Sequence, residues 1–334
     1  MRPTLRDKFR GCLLGATVGD VIGAAVEAES PGYIAATYRS VDDILAAGSV
    51  PEFAGPAGQV GRFTDDTQMM LGVAEWLLAG EAPSAERLLA RLAAGYEPWR
   101  RYGPGMDAIV RLYARHPAQW RDLATAAFPQ GSYGNGSAAR VAPVGLACSH
   151  DPAAAAALAM ESSRPTHTHP LAYQGAVLQA LAVGAAVRCD PADCPPAGVL
   201  AVLRAGLGRF ADLMQDTSPF ARALDAVEAG LARGASCGDM AAALGTGMAA
   251  YDAVPMGVYC FLRHRDSFAD AVRQAVFLGG DTDTIAAMAG ALAGALLGRQ
   301  AIPAAWVGAI REEKYPPVAI EDVADRLFVK YERI

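Results

Sequence analysis

Two short acidic clusters carry the residue types best suited to chemistry in this chain of 334 residues. The first is TDDT, residues 64–67, and the second is DTDT, residues 281–284. Each cluster stands directly before a strongly apolar run, so each predicts the start of a buried helix. Burying several carboxylates without partners is prohibitively unfavourable, and few basic residues accompany either cluster. The clusters therefore need another source of positive charge.

Divalent cations would supply that charge. Asp carboxylates and Thr hydroxyls form an all-oxygen ligand set, which suits Mg²⁺ or Mn²⁺ and disfavours structural zinc. Two such ions about 3.5–4 Å apart would clamp an oxygen-rich substrate. The alternative is structural, because an aspartate at a helix start caps the helix and interacts favourably with its dipole, each effect contributing about 0.5–1 kcal/mol. Spacing alone leaves metal binding and capping with salt bridges both open.

A third acidic region is the glycine-rich segment GCLLGATVGDVIGAAVEAES, residues 11–30. Its glycines recur every fourth residue and predict a helix with one smooth face for close packing. Asp20 then lies on a helix sunk into the core, where we expect it to accept structural hydrogen bonds. Glu27, at the end of that helix, could reach a cavity as a general acid or base. Glu29 is the rival for this role, and we expect it to be more exposed.

Helical periodicity dominates the rest of the chain. Apolar residues recur at helical spacing in six further segments, separated by Pro, Gly, Ser or Asp. The segments are residues 66–80, 84–99, 151–163, 171–187, 198–214 and 218–234. Strand patterns are nearly absent, so the predicted fold class is all-α. No linker or repeat divides the chain, so we expect a single compact domain over residues 1–334.

Long irregular stretches in a compact domain usually carry function. We predict such stretches at residues 30–61, 97–105 and 128–136, and several of them are rich in glycine. The binding residues are expected among them.

Composition and charge argue against several classes of protein. The chain is 52% hydrophobic and 19% charged, which suits a compact protein with a sizeable core. Its net charge of −6 argues against a general nucleic-acid or membrane surface. The six cysteines form no C-x-x-C pair, so a cytoplasmic location is the simplest expectation. Asp20 interrupts the apolar N-terminal region, and the apolar run 285–298 is too short to span a bilayer, so we predict neither a signal peptide nor a transmembrane helix. We expect a monomer.

Six sequence blocks, in order, resemble the ADP-ribosylglycohydrolase family across essentially the whole chain. The blocks are GCLLGATVGDVIGAAVE, TDDTQM, GSYGNGSAARVAPVGL, THTHPLAYQGAVLQALAV, AVPMGVYCFL and GGDTDTIAAMAGALAGA. SYGNG, THTHPLAYQGA and VYCFL are most similar to the branch that removes ADP-ribose from serine. The resemblance implies an all-helical domain with a cleft among its loops, two Mg²⁺ or Mn²⁺ ions, and an ADP-ribosylated protein or another ADP-ribose-containing molecule as substrate.

The resemblance also assigns roles to the acidic residues. The implied metal ligands are Thr64, Asp65, Asp66, Asp281, Asp283 and Thr284. Glu27 matches the family's glutamate near the metals, which governs access of the scissile bond and is commonly described as an acid or base. Glu27 and Asp281 are therefore the expected catalytic residues, and which of them activates water stays open.

The remaining blocks resemble an ADP-ribose pocket. The implied substrate-binding residues are Gly103, Gly105, Met106, Phe128, Gly131, Ser132, Tyr133, Gly134, Asn135, Gly136, His167, Gly247 and Met248. Backbone N–H groups of the glycine-rich loop 131–136 can approach a diphosphate closely, because no side chains intervene. His167 is expected beside the phosphates or the distal ribose, residues 103–106 beside that ribose, and residues 247–248 near the adenosine. Tyr133 and Phe128 offer aromatic faces for adenine.

Several functions fit these motifs. The expected reaction is metal-assisted hydrolysis at C1″ of ADP-ribose, releasing it from serine, with O-acetyl-ADP-ribose and poly(ADP-ribose) as further candidate substrates. An arginine-ADP-ribose hydrolase of the nitrogenase-regulating type shares the metal motifs. A non-catalytic ADP-ribose binder would lose metal ligands, whereas all six positions are present here. A prenyl-diphosphate enzyme is disfavoured, because Asp66 is followed by Thr67, Gln68 and Met69 rather than by a further aspartate.

Overall fold

The computed structural model describes residues 2–49, 58–209 and 215–332. Regular structure in these ranges is helical, with isolated β-bridges, which confirms the predicted all-α class. The α-helices are α1 (Leu5–Gly23), α2 (Pro31–Thr37), α3 (Val41–Ala46), α4 (Asp65–Leu78), α5 (Ala85–Gly95), α6 (Pro104–Arg115), α7 (Trp120–Ala127), α8 (Gly136–Ala139), α9 (Ala142–Ala147), α10 (Pro152–Ser163), α11 (Pro170–Arg188), α12 (Pro196–Arg209), α13 (Ser218–Ala232), α14 (Cys237–Leu244), α15 (Ala250–Arg263), α16 (Phe268–Val276), α17 (Thr282–Leu297), α18 (Ala304–Gly308) and α19 (Pro317–Tyr331). Short 3₁₀ segments are Pro98–Arg100, Pro117–Gln119 and Arg299–Ala301.

Helices α1 and α17 make the most extensive contact between any two described helices. The predicted glycine face of α1 lies in this contact. A Cβ atom added at Gly19 would lie 2.0 Å from the carbonyl oxygen of Ala286, and one at Gly15 would lie 2.4 Å from that of Gly290. No side chain fits in so narrow a space, so glycine is required at both positions. This close approach brings the end of α1 to the start of α17.

Helix α17 is buried from Thr282 to Leu296, as its apolar sequence predicts. Helices α11, α15 and α16 pack around it. In the described part of the chain, α11 alone is long and apolar enough to cross a bilayer, but most of it is buried inside the protein. That burial is typical of a core helix.

All six predicted helical segments contain helices, namely α4, α5, α10, α11, α12 and α13. Helix α5 ends at Gly95, four residues before the predicted boundary at Trp99. The cause is Pro98, because a residue before proline is driven out of the helical region, and Glu97 is extended at φ −125°. Residues 210–214 of the segment 198–214 lie outside the described ranges.

The expectation of one irregular stretch over residues 30–61 is wrong for its first half. Helices α2 and α3 lie there, and the hydroxyls of Ser30 and Ser40 cap them, each accepting a backbone N–H at 3.2 Å. Serine caps are recognisable in sequence, but helices of six or seven residues are too short to show an apolar period. Residues 50–57 lie outside the described ranges. The predicted stretch 128–136 is irregular up to residue 135, and α8 begins at Gly136. The predicted stretch 97–105 contains the 3₁₀ segment Pro98–Arg100 and the first two residues of α6.

Candidate active site

The starts of α4 and α17 meet in space, as the sequence predicts, although 218 positions separate Asp66 from Thr284. The Thr284 hydroxyl donates to the Asp66 carboxylate at 2.7 Å. Carboxylate oxygens of Glu27, Asp281 and Asp283 lie within 4.8 Å of one another. These five residues line one cleft. A group of acidic oxygens from three parts of the chain therefore faces a single cavity.

A buried carboxylate on α1 holds the start of α4 in place. Asp20 is fully buried and accepts the backbone N–H groups of Thr64 and Thr67 at 3.0 Å each. The Thr64 hydroxyl accepts the N–H of Asp66 at 3.3 Å and so caps the same helix. These contacts satisfy N–H groups that a helix start leaves without partners. Asp20 is thus a structural acceptor, as predicted, and Thr64 is buried but is not among the residues that line the cleft.

The carboxylates of the cluster repel one another in a poorly hydrated environment. Burial raises the pKa of Asp65, Asp66 and Asp283 well above the ordinary range, and neighbouring carboxylates raise it further. Burial also raises the pKa of Asp281, although the side-chain amide of Asn135 donates to its carboxylate. Holding all four groups ionised would require a positive charge nearby.

Hard divalent cations fit this donor set. Within the described lining of the cleft, one ion pair is present, between Glu27 and Arg101, so the four aspartates have no direct basic partner. Carboxylate and hydroxyl oxygens are the ligands that Mg²⁺ and Mn²⁺ prefer. The structure therefore favours metal binding over capping with salt bridges. Capping is nevertheless present, because Asp20 and Thr64 perform it.

Glu27 lies on a turn beyond α1 and contacts an arginine that the sequence did not mark. Its carboxylate lies 3.3 Å from the guanidinium of Arg101, which also donates to the carbonyl oxygen of Ala24 at 2.6 Å. Burial raises the pKa of Glu27, and the charge of Arg101 opposes this effect. Ala28 and Arg101 both adopt left-handed backbone, at φ +66° and +62°, which non-glycine residues rarely do. Glu29 does not line the cleft.

The glycine-rich loop is tied to the segment before α15 and to the acidic cluster. The backbone N–H of Asn135 donates to the carbonyl oxygen of Met248 at 2.9 Å, and that of Ala250 donates to the carbonyl oxygen of Tyr133 at 3.0 Å. The Asn135 side chain reaches Asp281. The glycine-rich loop therefore contacts both the loop that carries Met248 and the carboxylate of Asp281.

The structure explains why three positions of this loop are occupied by glycine. Gly131 adopts φ +80°, and a Cβ atom there would lie 2.6 Å from the backbone nitrogen of His169. Cβ atoms at Gly134 and Gly136 would lie 3.6 Å and 3.4 Å from Nε2 of His167. The absence of side chains therefore leaves this ring nitrogen facing the loop.

Most of the predicted substrate-binding residues line the cleft. Those that do are Gly103, Gly105, Met106, Phe128, Ser132, Gly134, Asn135, Gly136, His167 and Met248. Gly131, Tyr133 and Gly247 are not among the lining residues. The Tyr133 ring is 50% exposed, and its centroid lies 5.6 Å from that of His169 and 6.1 Å from that of Tyr251. It forms an accessible aromatic surface next to the lining residue Ser132.

Four residues that line the cleft were not among the predicted site residues: Met69, Arg101, Pro104 and Thr166. Met69 lies four residues after Asp65, so helical spacing from the acidic cluster was a usable signal for it. Pro104 and Thr166 adjoin predicted residues. Arg101 lies in the stretch 97–105, where binding residues were expected, but no spacing rule distinguishes it from its neighbours.

Comparison with known proteins decides the family. The sequence model described as ADP-ribosylglycohydrolase matches residues 1–333. The chain belongs to the ADP-ribosylglycohydrolase family. It is 35% identical to ADP-ribosylhydrolase ARH3 of Bos taurus, over 90% of this chain and 87% of that protein, and 34% identical to ARH3 of Homo sapiens, over 90% and 88%. It is 26% identical to the ADP-ribosyl-dinitrogen reductase glycohydrolase of Rhodospirillum rubrum, over 91% and 90%.

A solved structure supports the same assignment. It is described as an ADP-ribosylglycohydrolase-related protein complex and superposes on this glycohydrolase with a TM-score of 0.70 at 27% sequence identity. The match covers 97% of this chain and 98% of the other. The predicted family, the all-helical fold and the enzyme class are thereby confirmed.

Proposed function

We propose that this glycohydrolase cleaves the bond between C1″ of ADP-ribose and a serine side chain, using two divalent cations. The observation that carries the proposal is the meeting of two acidic helix starts in a cleft that a glycine-rich loop also lines. Serine is the proposed linkage because SYGNG, THTHPLAYQGA and VYCFL resemble the serine-specific branch. Identities of 34–35% to ARH3, against 26% to the Rhodospirillum rubrum relative, support the same choice.

The proposed metal ligands come from the starts of α4 and α17. They are Thr64, Asp65, Asp66, Asp281, Asp283 and Thr284. When bound, Mg²⁺ or Mn²⁺ supplies Lewis acidity and orients the oxygens of a ribose. Hydrogen bonds within the chain hold these carboxylates in place. Asp20 accepts the backbone N–H of Thr64 at the start of α4, and the Asn135 side chain donates to Asp281. Such preorganisation reduces the rearrangement needed at reaction.

Glu27 and Asp281 are the proposed proton carriers. Both carboxylates line the cleft, and burial raises the pKa of each. A carboxyl group with a raised pKa keeps its proton to higher pH than an ordinary carboxyl group, and it can exchange that proton as the glycosidic bond breaks. Hydrolysis places the hydroxyl of water on C1″ and a proton on the departing serine oxygen. The Arg101 guanidinium donates a hydrogen bond to Oε2 of Glu27, and this contact keeps the carboxylate in position during the exchange.

The glycine-rich loop, residues 131–136, is the proposed diphosphate site. Its backbone can approach phosphate oxygens closely, and Nε2 of His167 lies beside it. The exposed Tyr133 ring is the proposed stacking surface for adenine, with residues 247–248 nearby. Residues 103–106 are proposed to enclose the distal ribose. Phe128, which the sequence analysis assigns to adenine, is proposed to lie at this ribose instead, because a Cβ atom at Gly105 would lie 2.1 Å from its ring.

The proposal is tested by ADP-ribose release from a serine-ADP-ribosylated peptide and from an arginine-linked one, with Mg²⁺ and with a chelator. We expect release from the serine peptide that requires Mg²⁺. Asp66→Asn and Asp283→Asn should each lower the rate by about 100-fold or more, because each removes a charged ligand. Asp122→Asn, on the exposed side of α7, is the matched control and should keep the wild-type rate.

The other outcomes distinguish the alternatives. Release from the arginine peptide alone would assign the nitrogenase-regulating type of activity. ADP-ribose binding without release from either peptide would make the protein a binder. Wild-type rates in both Asp66→Asn and Asp283→Asn would remove the metal centre from the mechanism.

A further inference from the structure

A chain of hydrogen bonds runs from a buried arginine to the cleft. Arg140 is fully buried, and its guanidinium donates to the carbonyl oxygen of Ser162 and, at 2.8 Å, to the hydroxyl of Thr166. The Thr166 hydroxyl oxygen lies 2.7 Å from Nδ1 of His167. Thr166 and His167 both line the cleft, whereas Arg140 does not. The guanidinium also lies 3.6 Å from the sulfur of the lining residue Met69. Arg140 can therefore influence the cleft through Thr166 and His167, through Met69 or through its charge.

The available acceptors determine which way the Thr166 hydroxyl points. Its single proton has two possible recipients, Nδ1 of His167 at 2.7 Å and the carbonyl oxygen of Ser163 at 3.5 Å. The Ser163 carbonyl already accepts the backbone N–H groups of Thr166 at 3.0 Å and His167 at 2.8 Å, which occupies both of its lone pairs. Arg140 has no acceptor to offer. The hydroxyl proton therefore goes to Nδ1 of His167.

We propose that Arg140 and Thr166 are positioning residues that fix His167 as the neutral tautomer with its proton on Nε2. Nδ1 is then an acceptor, and Nε2 is a donor. Among the described residues, no protein acceptor contacts Nε2, which faces the loop positions of Gly134 and Gly136 at the cleft. This donor would serve an oxygen of ADP-ribose, and in that respect the inference rests on the proposed function.

The surroundings also keep the ring uncharged. Burial, followed by the positive charge of Arg140, lowers the pKa of His167 to about 3. The imidazole therefore donates a neutral hydrogen bond at physiological pH and forms no ion pair with a phosphate. Its contribution to binding should not vary between about pH 5 and pH 8, unlike that of an ordinary histidine, which titrates in this range.

Nitrogen NMR of the full-length protein labelled with ¹⁵N-histidine reads the tautomer directly. Protonated and unprotonated ring nitrogens resonate far apart, and His167→Gln identifies the signals of this residue among the five histidines. We expect a protonated Nε2 and an unprotonated Nδ1, with no titration down to about pH 5. A protonated Nδ1 in the wild-type protein would overturn the proposal, whatever any variant does.

Two substitutions of Thr166 test its role. Thr166→Val keeps the shape of the side chain and removes the hydroxyl, whereas Thr166→Ser keeps the hydroxyl. We expect Thr166→Val to populate both tautomers and to bind ADP-ribose about tenfold more weakly by calorimetry, equivalent to about 1.4 kcal/mol. Thr166→Ser should restore the single tautomer and bind within about twofold of wild type. A folded Thr166→Val protein with the wild-type tautomer and affinity would overturn the proposal.

The two readouts keep this inference separate from the proposed function. The tautomer is measured without substrate, so it decides the positioning role even where a variant unfolds. A wild-type protein that carries the Nε2–H tautomer but does not bind ADP-ribose would contradict the proposed function and support the positioning role. Binding of ADP-ribose with the opposite tautomer would support the function and overturn the positioning role.

Discussion

Arg101 and Ala28 adopt left-handed backbone on either side of the contact that holds Glu27. A non-glycine residue in this conformation costs about 1–2 kcal/mol, and such strain persists where surrounding contacts require it. Here the contacts are the Arg101 hydrogen bond to Ala24 and the ion pair with Glu27. At the scale of the residue, the position of the proposed acid or base therefore depends on strained neighbours rather than on a motif.

Arg101→Gly separates the backbone strain from the charge. Glycine adopts φ +62° freely, so relief of strain should offset the lost hydrogen bond and leave Tm nearly unchanged. Removal of the positive charge should tighten Mg²⁺ binding about fivefold by calorimetry, because Arg101 lines the same cleft and its charge repels the cation. Arg111→Ala removes an arginine from an exposed pair with Asp107 and should leave Mg²⁺ affinity unchanged. Weaker Mg²⁺ binding by Arg101→Gly would show that Arg101 organises the ligands instead.

The acidic residues of the site could be predicted from sequence, but the residues that hold them could not. Asp65 and Asp283 lie in the first turns of apolar helices, where several carboxylates without basic partners indicate metal binding. Arg101, Arg140 and Thr166 matter because of contacts between segments far apart in the chain. No local period or spacing encodes such contacts.

At the scale of the helix, the packing of α1 against α17 brings the acidic groups together. Backbone contact along the glycine face aligns the end of α1 with the start of α17, where the Thr282 hydroxyl donates to the carbonyl oxygen of Gly23 at 2.8 Å. A glycine at every fourth residue made this contact predictable. Helices α2 and α3 were missed because they are only seven and six residues long, too short to show an apolar period after their start signals.

Gly15→Ala should destabilise the protein strongly. The added Cβ would lie 2.4 Å from the carbonyl oxygen of Gly290 and 2.9 Å from a ring carbon of Phe268. A backbone carbonyl cannot yield without separating the two helices, so overpacking should cost about 1–3 kcal/mol or more. The free energy of unfolding in denaturant measures this loss.

Gly208→Ala is the matched control for that substitution. Gly208 lies on α12 with nothing within 4 Å of an added Cβ, so alanine there should stabilise the helix by about 0.5–1 kcal/mol. Equal stabilities of Gly15→Ala and the wild type would mean that α1 and α17 are farther apart than described.

At the scale of the whole molecule, the cleft collects residues from positions 27 to 284 and concentrates negative charge where little water reaches. The fold therefore carries an electrostatic cost that a bound cation would relieve. The family resemblance covered the whole chain, which is why the fold class and the meeting of the acidic clusters were predictable together. The strengths of the interactions within the cleft depend on burial, which the sequence does not specify.

The stabilisation of the fold by Mg²⁺ should consequently depend on pH. Asp65, Asp66 and Asp283 bind protons more tightly in the metal-free fold than in the unfolded chain, where aspartates titrate near pH 4. The metal-free fold should therefore lose stability as pH rises above about 4. Mg²⁺ binds ionised carboxylates and should add about 2.7 kcal/mol at 100 times its Kd. Thermal unfolding should show a larger rise in Tm on adding Mg²⁺ at about pH 8 than at about pH 5.

Asp66→Asn provides the internal control for that measurement. It removes one of the mutually repelling charges, so the metal-free variant should melt above the metal-free wild type at about pH 8. Its response to Mg²⁺ should be smaller. A Mg²⁺ response of equal size at both pH values would be inconsistent with ionisable ligands in the cleft.

Anomalous diffraction from crystals soaked in Mn²⁺ tests the central claim most directly, because it locates the cations without reference to activity. We predict anomalous peaks in the cleft that contact carboxylates from both helix starts, Asp65 or Asp66 on α4 and Asp281 or Asp283 at α17. Peaks confined to other parts of the surface, or an empty cleft at saturating Mn²⁺, would contradict the shared metal centre.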